Sequence, residues 1–220
     1  MGTLGGNICL DTRCQYYNQT YFWREALGFC LKKDGTVCHV VEGGQKCVAA
    51  ASNDSAPALA VLDAEIHLVS TRGARTLSAR NFYTSDGIRN TVREPDEIVT
   101  GITVPVRTGR RTAYEKIRRR NSIDFPLLSI AACADWDGER LLGVDLVVSA
   151  LAARPRRLSA AQKIEAGTAA GAELLAALSQ AAYRECRPLE NVEGDAAWRH
   201  EMVPVVVARA LRRVGIGEAR

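Results

Sequence analysis

Four cysteines, Cys14, Cys30, Cys38 and Cys47, fall close together near the start of the chain, with 15, 7 and 8 residues between successive members. Thiolates are soft ligands. Four of them can cap the irons of a [4Fe–4S] cluster or complete a tetrahedral zinc site. The spacing is not the dense run of a bacterial ferredoxin, and it contains no Cys-x-x-Cys knuckle. That leans towards iron–sulfur and leaves zinc open, with His39 beside Cys38 as a further candidate zinc ligand. Cys9 follows the apolar Ile8 and reads as a buried structural thiol. Cys133 lies in the apolar run Ile130-Ala131-Ala132-Cys133 and reads as core, and Cys186 has no partner in view. A second feature precedes the set: Thr3-Leu4-Gly5-Gly6-Asn7, whose glycines could expose backbone N–H groups to a phosphate or simply form a turn.

Composition limits what must position these groups. The 220 residues are 47% hydrophobic and 25% charged, with a formal charge of +4, which suits a globular protein with a core. No run of about 18 apolar residues is present, so no membrane span is expected. The first residues lack the basic start and apolar stretch of a secretory signal, so a cytoplasmic, reducing setting is expected, in which clustered cysteines are metal ligands rather than disulfides. Acidic and basic residues are balanced up to position 106, whereas residues 107–220 carry nineteen Lys/Arg against fourteen Asp/Glu. The Pro- and Gly-containing stretch at 105–110 marks a boundary between parts 1–106 and 107–220.

Regular elements follow from periodicity. Residues 11–48 show only one short helix, from Trp23 to Leu31, and a Lys32–Gly35 turn; a loop of that length is expected to be functional or stapled. Asp54 to Leu62 reads as a helix capped by Asp54 or Ser55, with Pro57 in its first turn. Ala64–Ser70, Arg75–Leu77 and Glu97–Val104 read as strands. Arg111–Ile117, Ser129–Trp136 and Leu141–Ser149 read as three more, with Asp137-Gly138 turning the last pair. A long helix over Ala160–Tyr183 capped by Ser159, and a final one over Trp198–Val214 closed by Gly215, complete an α+β pattern.

Taken in order, Thr3-Leu4-Gly5-Gly6-Asn7, the cysteine segment, Asn53-Asp54-Ser55-Ala56-Pro57-Ala58-Leu59 and Pro95-x-Glu97-Ile98 resemble the FAD-binding medium subunit of the molybdenum hydroxylase (xanthine dehydrogenase) family. The segment Asn7–Cys14 with the following Tyr-Tyr-Asn-Gln is more narrowly similar to the β subunit of 4-hydroxybenzoyl-CoA reductase, which carries an inserted [4Fe–4S] loop. The resemblance covers residues 3 to about 215. It implies the C-terminal part of a PCMH-type FAD-binding domain over 1–106, with the loop inserted at about 11–48. An α+β domain of the CO dehydrogenase flavoprotein C-terminal type, a three-stranded sheet with helices, would follow over 107–220.

By the same resemblance, Thr3, Gly5, Gly6 and Asn7 would meet the FAD pyrophosphate and ribityl region, and Asp54 would bond the flavin side chain. Ile98 and Val99 would lie beside the isoalloxazine ring, Lys116 would reach towards the flavin, and Cys14, Cys30, Cys38 and Cys47 would hold the cluster. No residue of the chain would be catalytic. Electrons would pass from a ferredoxin-like donor through the cluster, FAD and the [2Fe–2S] clusters of a small subunit to a large subunit with a molybdenum cofactor. There an aromatic acyl-CoA would lose its phenolic hydroxyl. Relatives begin with another Gly-rich FAD motif, so the adenosine diphosphate part of the cofactor is expected to be held outside this chain. The alternatives are another xanthine dehydrogenase-like flavin subunit or a zinc-stabilised nucleic-acid-binding module, the latter suggested by seven Lys/Arg among residues 107–120.

Overall fold

A computed structural model describes residues 2–217. Short helices open the chain: α1 (Leu4–Ile8), α2 (Tyr21–Ala26) and α3 (Ser55–Val61). Three antiparallel strands, β1 (Glu65–Ser70), β2 (Gly73–Ser78) and β3 (Ile98–Thr103), then form a sheet in the order β2-β1-β3. Alternation along β1 sends Ile66 and Leu68 inward, where they pack with Ile8, Ala56, Leu59 and Phe82. This small core fixes α1 and α3 against the sheet.

The second sheet is antiparallel, in the order β4 (Arg110–Ile117), β5 (Leu128–Asp137), β6 (Arg140–Ser149), β7 (Arg156–Arg157). It has four strands rather than the expected three, because Arg156 and Arg157 pair with Val148 and Val147 at the edge of β6. Strand β5 is buried on both faces. Leu128, Ile130, Ala132, Ala134 and Trp136 face the main core, while Ala131 and Cys133 face Ala60 and Val61 of α3. Helices α4 (Ala172–Glu185) and α5 (Ala196–Arg213) cover the main-core face. The first part of the chain thus supplies the helix that covers the second sheet's other face.

Three expectations at the helices need correction. Residues 160–171 are not helical apart from a short 3-10 turn at Ala161–Lys163. Gly167 sits at φ +91° with its N–H on the Leu141 carbonyl, and regular helix starts only beyond Gly171. Ser159 is therefore not a cap; its backbone N–H and that of Ala160 donate to the Glu185 carboxylate at the far end of α4. Likewise Thr3-Leu4-Gly5-Gly6-Asn7 is not a turn but the capped start of α1, with Thr3 Oγ1 accepting from the Gly6 N–H. The cysteine-loop helix is shorter than expected, ending at Ala26 where Leu27, Gly28 and Phe29 turn the chain.

Gly215 does close α5. Its N–H bonds the Arg212 carbonyl and that of Ile216 bonds the Leu211 carbonyl, a Schellman motif with Gly215 at φ +91°. A Cβ there would also stand 2.6 Å from an Arg111 guanidinium nitrogen and 3.3 Å from the Trp136 ring. Gly215→Ala is expected to lower stability by about 1–2 kcal/mol, the cost of a left-handed non-glycine residue. A urea midpoint equal to that of the parent protein would contradict this.

Candidate functional site

The loop between α1 and α3 brings four thiols to one cavity. Cys14, Cys30, Cys38 and Cys47 all line it, with Tyr16, Tyr17, Val40, Val48 and Ala49 giving a largely apolar wall. Cys14, Cys30 and Cys47 are buried and Cys38 is half-buried. Burial pushes the Cys14 and Cys47 thiols up. Their neighbours add to the rise, Cys47 and Cys30 acting on Cys14, and Cys30 and Cys38 on Cys47. Among the described residues no three His, Cys, Asp or Glu are grouped closely enough to hold a single metal ion. A tetrahedral zinc keeps its sulfurs roughly 3.8 Å apart, given a Zn–S bond of about 2.3 Å. Four thiols on a shared apolar wall are the soft donor set that an iron–sulfur cluster or a zinc ion takes. His39 also lines the cavity, but its Nε2 is engaged at 2.5 Å with the Phe29 carbonyl.

The loop is shut at its neck and clamped by a buried cation. Arg13 and Ala50 exchange both backbone hydrogen bonds, at 2.9 and 2.7 Å, one residue outside Cys14 and three outside Cys47. The Lys32 side chain is 5% exposed. Its ammonium donates to Asp11 Oδ1 (2.7 Å), Thr12 Oγ1 (2.6 Å) and the Gly87 carbonyl (2.7 Å), which uses all three of its protons. It lies over the Tyr17 ring, and its charge opposes the upward shift of Cys47. Gly87 closes the cavity from outside the loop, its N–H bonding the Cys47 carbonyl. Lys32 and Gly87 were not legible as site residues: the Lys32–Gly35 stretch reads as a surface turn, and Gly87 is forty positions beyond Cys47.

The residues matched to the flavin site meet in part. Asn7 Oδ1 accepts from the Ser55 N–H at 3.0 Å and from the Ser55 hydroxyl, joining α1 to the start of α3. Asp54 stands at the N-cap of α3 but makes no capping bond with its side chain. Its carboxylate instead accepts from the Tyr114 hydroxyl (3.0 Å) and the Lys116 ammonium (2.7 Å), both on β4. Lys116 also donates to the Asp124 carbonyl. Burial, and then the Asp54 charge, pushes the Tyr114 hydroxyl up, so it stays protonated and donates. Gly5 has open space where a Cβ would stand. As consecutive strand residues, Ile98 and Val99 face opposite ways: Ile98 is 70% exposed, while Val99 packs on the first core. Helix α1 lies against both α3 and β3, so the Gly-Gly segment, Asp54 and this apolar pair belong to one neighbourhood.

The other thiols stand apart from this set. Cys9 is half-buried rather than buried, and Cys133 and Cys186 are core thiols pushed up to about 12 by burial. The basic run is largely neutralised within the protein. Arg107 and Arg110 pair with Asp63, Arg110 also with Asp135, Lys116 with Asp54, Arg119 with Glu193 and Arg120 with Asp124. A phosphate-binding face needs free cations, so the expectation of a nucleic-acid-binding module has no support. Among the described residues no helix is long and apolar enough to cross a membrane.

Comparison with known proteins matches residues 1–107 to the FAD binding domain in molybdopterin dehydrogenase, and residues 112–214 to the CO dehydrogenase flavoprotein C-terminal domain. The aldehyde oxidoreductase FAD-binding subunit PaoB of Escherichia coli is 30% identical over 72% of this chain and 52% of its own length. The carbon monoxide dehydrogenase medium chain of Afipia carboxidovorans is 29% identical over 78% and 59%. The solved carbon monoxide dehydrogenase of Hydrogenophaga pseudoflava superposes with a TM-score of 0.67 at 28% identity, over 74% of this chain and 56% of that one. The chain spans little more than half the length of these relatives.

Gly87 offers the sharpest mutational handle on the cavity. An added Cβ would stand 2.8 Å from Cys47 Sγ and 2.9 Å from the Ala49 backbone nitrogen. Gly87→Ala must therefore move Cys47 or the backbone, and is expected to cost about 1–3 kcal/mol, as other overpacking changes do. An unchanged denaturation midpoint would show that Cys47 does not depend on the close approach of Gly87.

Proposed function

The chain belongs to the FAD-binding medium subunits of the molybdenum hydroxylase family, of the CO dehydrogenase and xanthine dehydrogenase type, and on that premise we propose that it is an electron-transfer subunit holding a [4Fe–4S] cluster beside its share of a FAD site. One observation carries the proposal: four cysteines scattered over the loop line a single cavity. When bound, the cluster moves single electrons and FAD exchanges one or two, so together they can join one-electron carriers to a two-electron reaction elsewhere.

The chain's own residues have definite tasks in this reading. The thiolates of Cys14, Cys30, Cys38 and Cys47 hold the irons, and Tyr16, Tyr17, Val40 and Ala49 keep water from them. The Lys32 ammonium offsets negative charge at the Cys47 side. Asp54, held by Tyr114 and Lys116, keeps a free lone pair on each oxygen to accept from hydroxyls of the flavin side chain. Thr3, Gly5, Gly6 and Asn7 present bare backbone and an amide to the pyrophosphate end. Ile98 offers an exposed apolar face to the ring, and Val99 supports it from within.

The assembly we propose pairs the chain with a large subunit bearing a molybdenum cofactor and a small subunit with [2Fe–2S] clusters, fed by a ferredoxin-like donor. The cysteine loop favours reductive dehydroxylation of an aromatic acyl-CoA, in the manner of 4-hydroxybenzoyl-CoA reductase. The relatives named above act, by their names, on an aldehyde and on carbon monoxide, and a xanthine dehydrogenase FAD-binding subunit of Escherichia coli is 23% identical. Another substrate of the same family is therefore the second reading.

Anaerobic purification followed by iron, sulfide, zinc and flavin analysis tests the proposal. About four irons and four sulfides per chain, without zinc, are expected. One zinc and no labile sulfide would sink it. Cys30→Ser is expected to abolish the cluster's visible absorbance, whereas Cys186→Ser, in the second core at the end of α4, should leave it intact; equal losses would defeat the ligand assignment.

A further inference from the structure

The cysteine loop is not held by its own domain alone. Between α4 and α5, residues 187–194 form an irregular segment that reaches the neck of the loop. Asn191 in this segment is 0% exposed. Its side-chain Nδ2 donates to the Val48 carbonyl at 2.6 Å and to the Leu151 carbonyl at 3.3 Å. Its backbone carbonyl accepts from the Gln15 N–H at 2.8 Å. Val48 follows Cys47 and Gln15 follows Cys14, so one residue bonds the immediate neighbours of two of the four thiols. Gln15 returns a second bond from its side-chain amide to the Glu190 carbonyl, at 2.7 Å.

The other end of this link is rigid. Leu151 stands two residues beyond the end of β6 and is buried in the second core. The segment itself is fixed by the fully buried Arg199 of α5, whose guanidinium donates to the Leu189 carbonyl and, more weakly, to those of Ala150 (3.3 Å) and Leu127 (3.4 Å). Three carbonyls from the ends of β-structure and from the segment thus converge on one cation. Asn191 thus links the neighbours of Cys14 and Cys47 to the sheet and helix of the C-terminal domain.

We propose that Asn191 is the positioning residue of the cysteine cavity, holding Cys14 and Cys47 at the spacing their ligand role needs. The ligand role is that given under the proposed function; the positioning is a separate claim about this chain's own hydrogen bonds. It assigns to the C-terminal domain a part in metal-site geometry that its sequence, with no cysteine near Asn191 except the core residue Cys186, does not suggest.

The test reads thiol reactivity directly. The protein is stripped of metal by a chelator under reducing conditions and alkylated with iodoacetamide, and each cysteine's rate is followed by mass spectrometry. Asn191→Ala removes the side-chain bonds to the Val48 and Leu151 carbonyls and leaves the backbone bond from Gln15, so it is expected to speed alkylation of Cys47 about tenfold and of Cys14 by a smaller factor. Cys133, buried beneath α3, should be unchanged. Asn191→Asp keeps the shape but turns a donor into an acceptor against two carbonyls, and should act the same way. Leu178→Ala, in the same core but without contact to the loop, should lower the melting temperature and leave both rates unchanged. Cys14 and Cys47 reacting no faster in both Asn191 variants than in Leu178→Ala would overturn the proposal. Faster rates in a protein that carries no cluster when isolated would uphold the positioning while removing the ligand role; a cluster-bearing protein with unchanged rates would do the reverse.

Discussion

A buried ammonium governs the candidate site. Lys32 reaches back from the middle of the cysteine loop to Asp11 and Thr12 at its start and to Gly87 in the segment before β3. An ammonium taken out of water needs all three donors satisfied, and these are the acceptors it finds. Meeting that demand draws the loop against the first sheet's domain and seats Gly87 on Cys47. It also places a positive charge next to a set of thiols. Without such a clamp a 38-residue excursion with one six-residue helix would have little reason to adopt a single shape, because α2 buries none of its own side chains.

A second constraint joins the two sheets. Asp63, in a left-handed conformation just after α3, pairs with Arg80, Arg107 and Arg110, while Asp135 and Asp145 of the second sheet take Arg110, Arg80 and Arg157. The network surrounds the apolar contact of Ala60 and Val61 with Ala131, Cys133 and Val147. Each pair is partly exposed and adds little by itself; together they specify how α3 lies on the sheet. That orientation decides whether Asp54, at the N-terminus of α3, meets Lys116 and Tyr114 on β4. The Asp54 carboxylate is therefore placed by both halves of the chain.

Much of this was legible in the sequence where the pattern is local. The apolar run of β5 and the Asp137-Gly138 turn gave the central hairpin to within a residue or two, and Gly215 marked the end of α5. The density of four cysteines in a stretch without packing periodicity marked them as a set. What failed was where one local signal imitated another. Ser159 before an alanine-rich stretch looks like a cap, but Gly167 and Gly171 break the stretch, so helix begins at Ala172. Asp54 has the position of a cap and spends its oxygens elsewhere, on partners sixty residues away. Lys32, Gly87 and Asn191 carry no local signal at all, since their roles lie wholly in contacts across the fold.

A redox-active cluster in the cysteine cavity is the feature on which the proposed electron-transfer role depends. Low-temperature electron paramagnetic resonance of the anaerobically isolated protein, before and after dithionite, addresses this most directly. A signal is expected to appear on one-electron reduction, to be lost in Cys30→Ser and to be kept in Cys186→Ser. A protein silent before and after reduction, with one zinc bound per chain, would contradict that role.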